Sequence, residues 1–257
     1  MKTVQATVVS NQELMAGVRL MEFEAPEIAS IAEPGQFVMI RCAESFVLPR
    51  PFSIHGASRE TGRFSLLFAL RGRGTRWLTQ RRSEEIIQIT GPLGNTFLLP
   101  EEPSNLLMVA GGIGIAPLTF LISEALNTHV MTLLIGATTA AKLYPKQMLP
   151  GGVGIVTITD DGSTGKRGLV SDAISDYLSW ADKVYVCGPL PMYRAIAERL
   201  SERRVIPPVE VSLEVRMGCG LGICYGCTVK TRHGVKQVCR DGPVFPMDEV
   251  IWDSVAC

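Results

Sequence analysis

The sequence carries no net charge: 25 Lys and Arg offset 25 Asp and Glu over 257 residues. That balance argues against a dedicated nucleic-acid binder or a polybasic membrane module. It also lacks a long apolar run. The N-terminal MKTVQATVVS has no signal-peptide core. The most apolar stretch, 106–122, is broken by Gly111, Gly112, Gly114 and Pro117 and is short for a spanning helix. Neither a nucleic acid nor a membrane is expected as a partner, and the expected compartment is a reducing cytoplasm. Histidine is scarce. His55, His129 and His233 are the only three, and none stands in a Ser/His/Asp hydrolytic pattern. Repeats and low-complexity linkers are missing. Cysteine does not come in an even number: seven residues fit a disulfide framework poorly in a chain this long.

What is present changes in texture along the chain. Short alternating segments at 3–10, 18–24, 36–41, 64–70 and 85–91 are separated by Gly and Pro and read as strands of a closed barrel, with one short helix near 75–81. From about residue 100, buried strands at 105–110, 131–136, 153–159 and 183–187 alternate with helices at 115–126, 169–178 and 191–201. That alternation predicts a parallel α/β sheet. From about 211 the chain is rich in Cys and Gly and has no long helix. Three units follow: 1–100, 101–210 and 211–257.

The last unit is the most informative. Cys219, Cys224 and Cys227 are spaced C-x4-C-x2-C, and Cys239 follows within MGCGLGICYGCTVKTRHGVKQVC. The opening matches plant-type [2Fe–2S] spacing, although the fourth cysteine returns sooner than in a simple ferredoxin. Gly218, Gly220, Gly222 and Gly226 relieve crowding and let backbone N–H groups point at sulfur. The alternatives are chance and a structural zinc site. Structural zinc usually draws its ligands as two close pairs, and here only one pair is close. Cys42 and Cys257 read as buried or terminal free thiols.

Two further signals concern nucleotides. Gly111, Gly112 and Gly114 follow a buried strand and open a helix, where backbone N–H groups can hold a pyrophosphate. The pattern is not G-x-G-x-x-G, because Pro117 stands where the third glycine would be, and a plain tight turn is the other reading. Cys187-Gly188-Pro189 sits at a second strand end before a helix. In the barrel, LPRPFSI at 48–54 offers the Arg50 guanidinium and the Ser53 hydroxyl; an edge strand with one surface arginine is its plainer reading. The basic turn 71–76 suits a phosphate, or is simply a solvated charge run. His55 adjoins RPFSI and so has a possible place near a flavin. The strand at 131–136 is followed by no cation before Lys142, which favours NAD(H) over NADP(H).

Together these segments resemble the ferredoxin-reductase-like flavoproteins, and among them the electron-transfer subunits of class 1B dihydroorotate dehydrogenases. The resemblance covers essentially the whole chain: RPFSI at 50–54, Gly74-Thr75, GPLGNTF at 91–97, AGGIGIAPL at 110–118, TDDGSTGKRG at 159–168, VCGPLPM at 186–192 and the cysteine tail. It implies an N-terminal antiparallel FAD-binding β-barrel, a parallel-sheet NAD-binding α/β domain and a small C-terminal [2Fe–2S] domain. By resemblance, Arg50, Pro51, Phe52 and Ser53 line the FAD site with Leu67, Phe68 and Ala69, and Gly74 and Thr75 hold its phosphates. Gly111, Gly112, Gly114, Cys187, Gly188 and Pro189 form the side that takes NAD+ or NADH, and Cys219, Cys224, Cys227 and Cys239 hold the cluster. The implied partner is an FMN-containing catalytic subunit that oxidises dihydroorotate, in a heterotetramer of two chains of each kind. No catalytic residue is expected in this chain. A differently partnered NAD(P)H:acceptor reductase and a zinc-stabilised nucleotide-binding regulatory module remain the other readings.

Overall fold

The structure, a computed structural model, describes residues 1–43 and 47–255; Cys257 lies outside the described residues. The first unit contains β1 (Lys2–Met15), β2 (Val18–Glu24), α1 (Pro26–Ala29), β3 (Phe37–Ile40), β4 (Arg50–Ser58), β5 (Arg63–Ala69), α2 (Arg73–Thr79) and β6 (Ile86–Leu93). The strands close into an antiparallel barrel in the order β1-β2-β5-β4-β3-β6. Alternation does the closing. Ala6 and Val8, Met21 and Phe23, Phe64 and Leu66, and Ile87 and Ile89 all point into one buried core.

β4, which carries RPFSI, is more than an edge strand: it pairs with β3 along 50–53 and with β5 from Ile54 onward. The reason the sequence suggested an edge survives locally. Pro51 has no N–H to donate, and it sits where β4 has no ladder to β5. Residues 50–53 and the end of β5 therefore leave a seam without backbone pairing in the barrel wall.

The second unit contains β7 (Asn105–Gly111), α3 (Ile115–Ala125), β8 (Val130–Ala137), β9 (Val153–Thr159), β10 (Lys166–Arg167), α4 (Val170–Ala173), β11 (Lys183–Cys187), α5 (Leu190–Ser201) and β12 (Val209–Ser212). The last stretch adds β13 (Thr228–Thr231), β14 (Gly234–Gln237), α6 (Val238–Asp241) and β15 (Val244–Pro246). The main sheet runs β10-β9-β8-β7-β11-β12-β15, parallel except for β15. The helix expected at 169–178 is one turn of α4 followed by a 3-10 turn at Ile174–Asp176, with Val170, Ala173, Ile174 and Leu178 drawn into the core.

The division expected at 210/211 falls inside β12, and β15 pairs with it, Val211 opposite Phe245. The tail thus adds the last strand of the α/β sheet. At the other division, Leu98 is fastened to the sheet. Its carbonyl accepts from Lys183 Nζ (2.6 Å) and Tyr185 Oη (2.6 Å), and its N–H donates to Glu210 Oε2 (3.1 Å).

Candidate functional site

The chain runs outward from β7 through β8, β9 and β10, then returns to the other side of β7 with β11. The strand order reverses between β7 and β11, and open α/β sheets bind ligands at the carboxyl ends of strands at such a point. Both expected nucleotide turns lie there. They touch: a Cβ on Gly114 would lie 2.2 Å from the Cys187 carbonyl oxygen, and one on Gly111 would lie 2.8 Å from Pro189 Cδ. Only glycine lets the two turns close on each other. Gly112, with φ 55°, is the exposed tip. Tyr193 of α5 fixes the second turn, accepting from the Gly188 N–H (3.0 Å) and donating to the Ser212 carbonyl (2.5 Å). The Cys187 thiol is fully enclosed, and burial, with Glu214 second, pushes its pKa well up. Cys187 therefore offers its backbone here, not a reactive thiolate.

Residues 50–53 and 67–69 face each other across the seam in the barrel, with the Phe52 and Phe68 rings edge-on at 5.6 Å. Gly74 is placed against Arg50, where an added Cβ would lie 3.2 Å from Arg50 Cγ. The expected ring-binding and phosphate-binding segments are thereby brought together. Thr75 is occupied by its own turn; its hydroxyl accepts from the Arg71 N–H (2.9 Å) and the Gly72 N–H (3.1 Å). Cys42 is buried nearby, as expected of a free thiol. Burial pushes its pKa up to about 11 despite Arg50.

Sequence reading gave no role to Glu214. It follows β12. Solvent reaches it, yet the surrounding protein pushes its carboxyl pKa up while Arg71 pulls the other way. Its field is felt by Cys187 and Tyr193. Its position past a strand end beside the Cys187 turn was the available signal.

In the tail, each of the four expected ligand sulfurs accepts at least one backbone N–H. Leu221 donates to Cys219 (3.3 Å), Gly222 to Cys239 (3.2 Å), Gly226 to Cys224 (3.5 Å) and Cys239 to Cys227 (3.4 Å). Burial alone would raise the Cys219 pKa, but the N–H groups of Leu221, Cys224 and Ile223 outweigh it and bring it down to about 6. Cys239 is pushed up to about 12, first by burial and then by Cys227. Side-chain hydrogen bonds join Cys219 with Cys224 and Cys239 with Cys227. No three His, Cys, Asp or Glu side chains among the described residues form a ready metal cage. Four sulfurs supplied with N–H donors suit thiolate charge, and two pairs suit two irons with two thiolates each.

This loop is seated on the barrel. A Cβ on Gly220 would lie 2.5 Å from Met39 Cγ of β3, and Met39 is paired with Pro51 of β4. The GPLGNTF turn is the second joint. Asn95 Nδ2 donates to the carbonyls of Val244 (2.8 Å) and Asp241 (3.3 Å), its Oδ1 accepts from the Val244 N–H (2.9 Å), and its own N–H donates to the Gly242 carbonyl (2.7 Å).

A barrel, a nucleotide-type α/β sheet and a thiol-rich loop packed together in one fold define a ferredoxin-reductase-like oxidoreductase. The comparisons agree. Residues 214–251 match the iron–sulfur cluster binding domain of dihydroorotate dehydrogenase B, and residues 108–198 match the oxidoreductase NAD-binding domain. The chain is 41% identical over 262 residues to the dihydroorotate dehydrogenase B (NAD(+)) electron transfer subunit of Desulforamulus reducens, covering 98% of this chain and 99% of that one. It is 37% identical to its counterpart in Caldanaerobacter subterraneus subsp. tengcongensis, covering 97% and 98%. A solved NADH-dependent reduced ferredoxin-NADP oxidoreductase, described for flavin-based electron bifurcation, superposes with a TM-score of 0.87 at 29% identity, over 97% of this chain and 91% of that one. The chain belongs to the family of dihydroorotate dehydrogenase B (NAD(+)) electron transfer subunits. It is an oxidoreductase subunit of electron transfer, with an iron–sulfur-binding domain and an NAD-binding domain in a flavoprotein-reductase fold. The iron–sulfur reading of the cysteine tail thereby prevails over the zinc reading. No helix among the described residues is long and apolar enough to cross a membrane.

Proposed function

We propose that this chain takes electrons from an FMN-containing dihydroorotate-oxidising subunit, passes them through a [2Fe–2S] cluster and FAD, and delivers them to NAD+ in pyrimidine biosynthesis. The observation that carries this reading is the three-way junction. The cysteine loop rests on Met39, Met39 pairs with the strand of Arg50–Ser53, and both nucleotide turns close on each other across the cleft. Flavin supplies the exchange between one-electron and two-electron chemistry. The protein binds and orients. The seam between 50–53 and 67–69 holds the ring system, with Ser53 offering its hydroxyl, and Arg50 and Gly74-Thr75 serve the FAD phosphates. Gly111, Gly112 and Gly114, with the backbone of Cys187-Gly188-Pro189, receive the nicotinamide nucleotide. Cys219, Cys224, Cys227 and Cys239 hold the cluster. In functional terms 1–100 is the flavin unit, 101–210 the nucleotide unit and 211–257 the cluster unit.

The catalytic partner covers the cluster end. Leu221, Ile223 and Tyr225 stand 42%, 73% and 68% exposed around Cys224, an apolar rim that a second subunit would bury. The assembly is a cytoplasmic heterotetramer with two chains of each kind. The test has two parts. Replacing each of the seven cysteines by Ser and measuring iron per chain should abolish the cluster only at positions 219, 224, 227 and 239. Full iron after loss of any of those four overturns the ligand set. Sedimentation of the chain co-expressed with its FMN subunit should then give the two-plus-two mass. NADH should exceed NADPH in kcat/KM by at least about tenfold, or about 1.4 kcal/mol, because no cation follows β8 before Lys142.

A further inference from the structure

We propose that His55 is a positioning residue that sets the flavin-facing strand at its working distance from the nicotinamide nucleotide unit. The proposal rests on the cofactor placement given above. In the β4–β5 ladder Ile54 pairs with Leu66 and Gly56 with Ser65, so His55 is an extra residue, a bulge. Bulges re-aim side chains, often beside active sites. This one turns the imidazole toward the α/β unit.

Three segments converge on residue 55. Its Nδ1 lies 3.0 Å from Ser65 Oγ on β5, and its Nε2 lies 3.0 Å from Tyr144 Oη in the segment after β8. Its carbonyl lies 2.7 Å from Thr119 Oγ1 of α3, whose single proton it shares with the Ala116 carbonyl at the same distance. The Tyr144 ring leans on the imidazole with centroids 5.8 Å apart. Ser65 Oγ donates to the Gly56 carbonyl at 3.5 Å, which leaves the oxygen's lone pairs to accept from Nδ1–H. Nε2 then accepts from the Tyr144 hydroxyl, so one neutral tautomer satisfies every group.

The placement matters because of what lies on either side. Two residues back along β4 is Ser53. One helical stretch back along α3 is the Gly111–Gly114 turn. Residue 55 therefore ties the wall of the proposed ring site directly to the helix whose start receives the nucleotide. Hydride transfer needs reacting atoms about 3–3.5 Å apart, and a displacement of about 1 Å costs about a hundredfold. A joint of two side-chain bonds and one backbone bond holds that gap.

The test uses the holoenzyme with His55→Ala, His55→Gln, Tyr144→Phe and the double variant His55→Ala/Tyr144→Phe. FAD and iron per chain are measured first. Flavin reduction by NADH and by 4-deuterated NADH is then followed by rapid mixing. His55→Ala and Tyr144→Phe should each slow flavin reduction about tenfold per bound FAD, with the isotope effect retained or increased. The double variant should be no slower than the slower single, and His55→Gln, which keeps a polar reach to Tyr144, should recover part of the rate. Chemical reduction of the flavin by dithionite should be unchanged. Independently of activity, backbone hydrogen exchange in 138–149 should quicken in both single variants. Unchanged reduction rates, additive losses in the double variant, or rate loss that only tracks lost FAD would overturn the positioning role. A wild-type protein with no FAD, or with FAD that NADH does not reduce, would instead overturn the cofactor reading itself.

Discussion

Gly114 has the least room for a side chain of any residue at the cleft. A Cβ there would meet the Cys187 carbonyl carbon at 2.4 Å and the Gly188 nitrogen at 2.7 Å, backbone that cannot swing aside. Gly114→Ala is therefore expected to part the two nucleotide turns. Overpacking of this kind costs about 1–3 kcal/mol. Denaturant unfolding should show that loss, together with a weaker spectral response of the flavin to NAD+. His55 gives a second expectation. Burial holds its pKa near 4, against an ordinary 6.5, and burial also lifts Tyr144 to about 12, so the tyrosine stays neutral. Between pH 6.5 and 4 the unfolded chain binds the His55 proton and the folded chain does not. Its contribution is thus complete above about 6.5 and is lost as pH falls toward 4, up to about 3 kcal/mol. In His55→Gln the slope of stability against pH over that window should flatten; an unaltered slope would show that other groups govern it. The iron–sulfur character of the tail was legible in the sequence because the cysteine spacing that signals it is local. The His55 joint was not, because its partners lie 10 and 89 residues away, and a lone histidine after RPFSI gives no hint of either.

Elements show the same division between local and distant causes. The barrel strands with clean alternation were legible, as were β7, β8, β9 and β11 of the α/β sheet and the two full helices α3 and α5. β4 was obscured by Arg50 and Pro51, the residues that suit its unpaired start. β12 and β15 were obscured by being short; neither has a period long enough to read, and they exist because they complete a sheet begun elsewhere. Asn95 was likewise silent, since its role as a joint depends on residues 146 and 149 positions away. Asn95→Ala removes three side-chain hydrogen bonds between the barrel turn and the tail. At about 0.5–1.5 kcal/mol each, roughly 3 kcal/mol should be lost from the docking of the cluster segment. Iron release to a chelator should quicken, while flavin content stays near that of the parent. Faster flavin loss at unchanged iron release would place the weak point elsewhere.

At the scale of the whole molecule, the three units seen in the sequence share their interiors. One buried cluster runs from Phe37, Met39 and Leu93 of the barrel through Val109 and Val186 of the sheet to Cys227 and Cys239 of the tail. The cysteine tail therefore shares one packed support with β3 of the barrel and with the α/β sheet. The course of the tail also has a consequence for how the protein is made. It leaves the sheet at β12 and returns beside it at β15, so the segment holding Cys219, Cys224, Cys227 and Cys239 is enclosed by two neighbouring strands. During synthesis the barrel and the strands through β12 emerge first and can fold, while the thiols wait for Val244–Pro246 to seat against Val211. Iron loading is then expected to follow the seating of β15 against β12. A chain stopped at residue 243 should accumulate yellow with flavin and poor in iron; equal iron in stopped and finished chains would show that the segment organises its thiols without the closing strand.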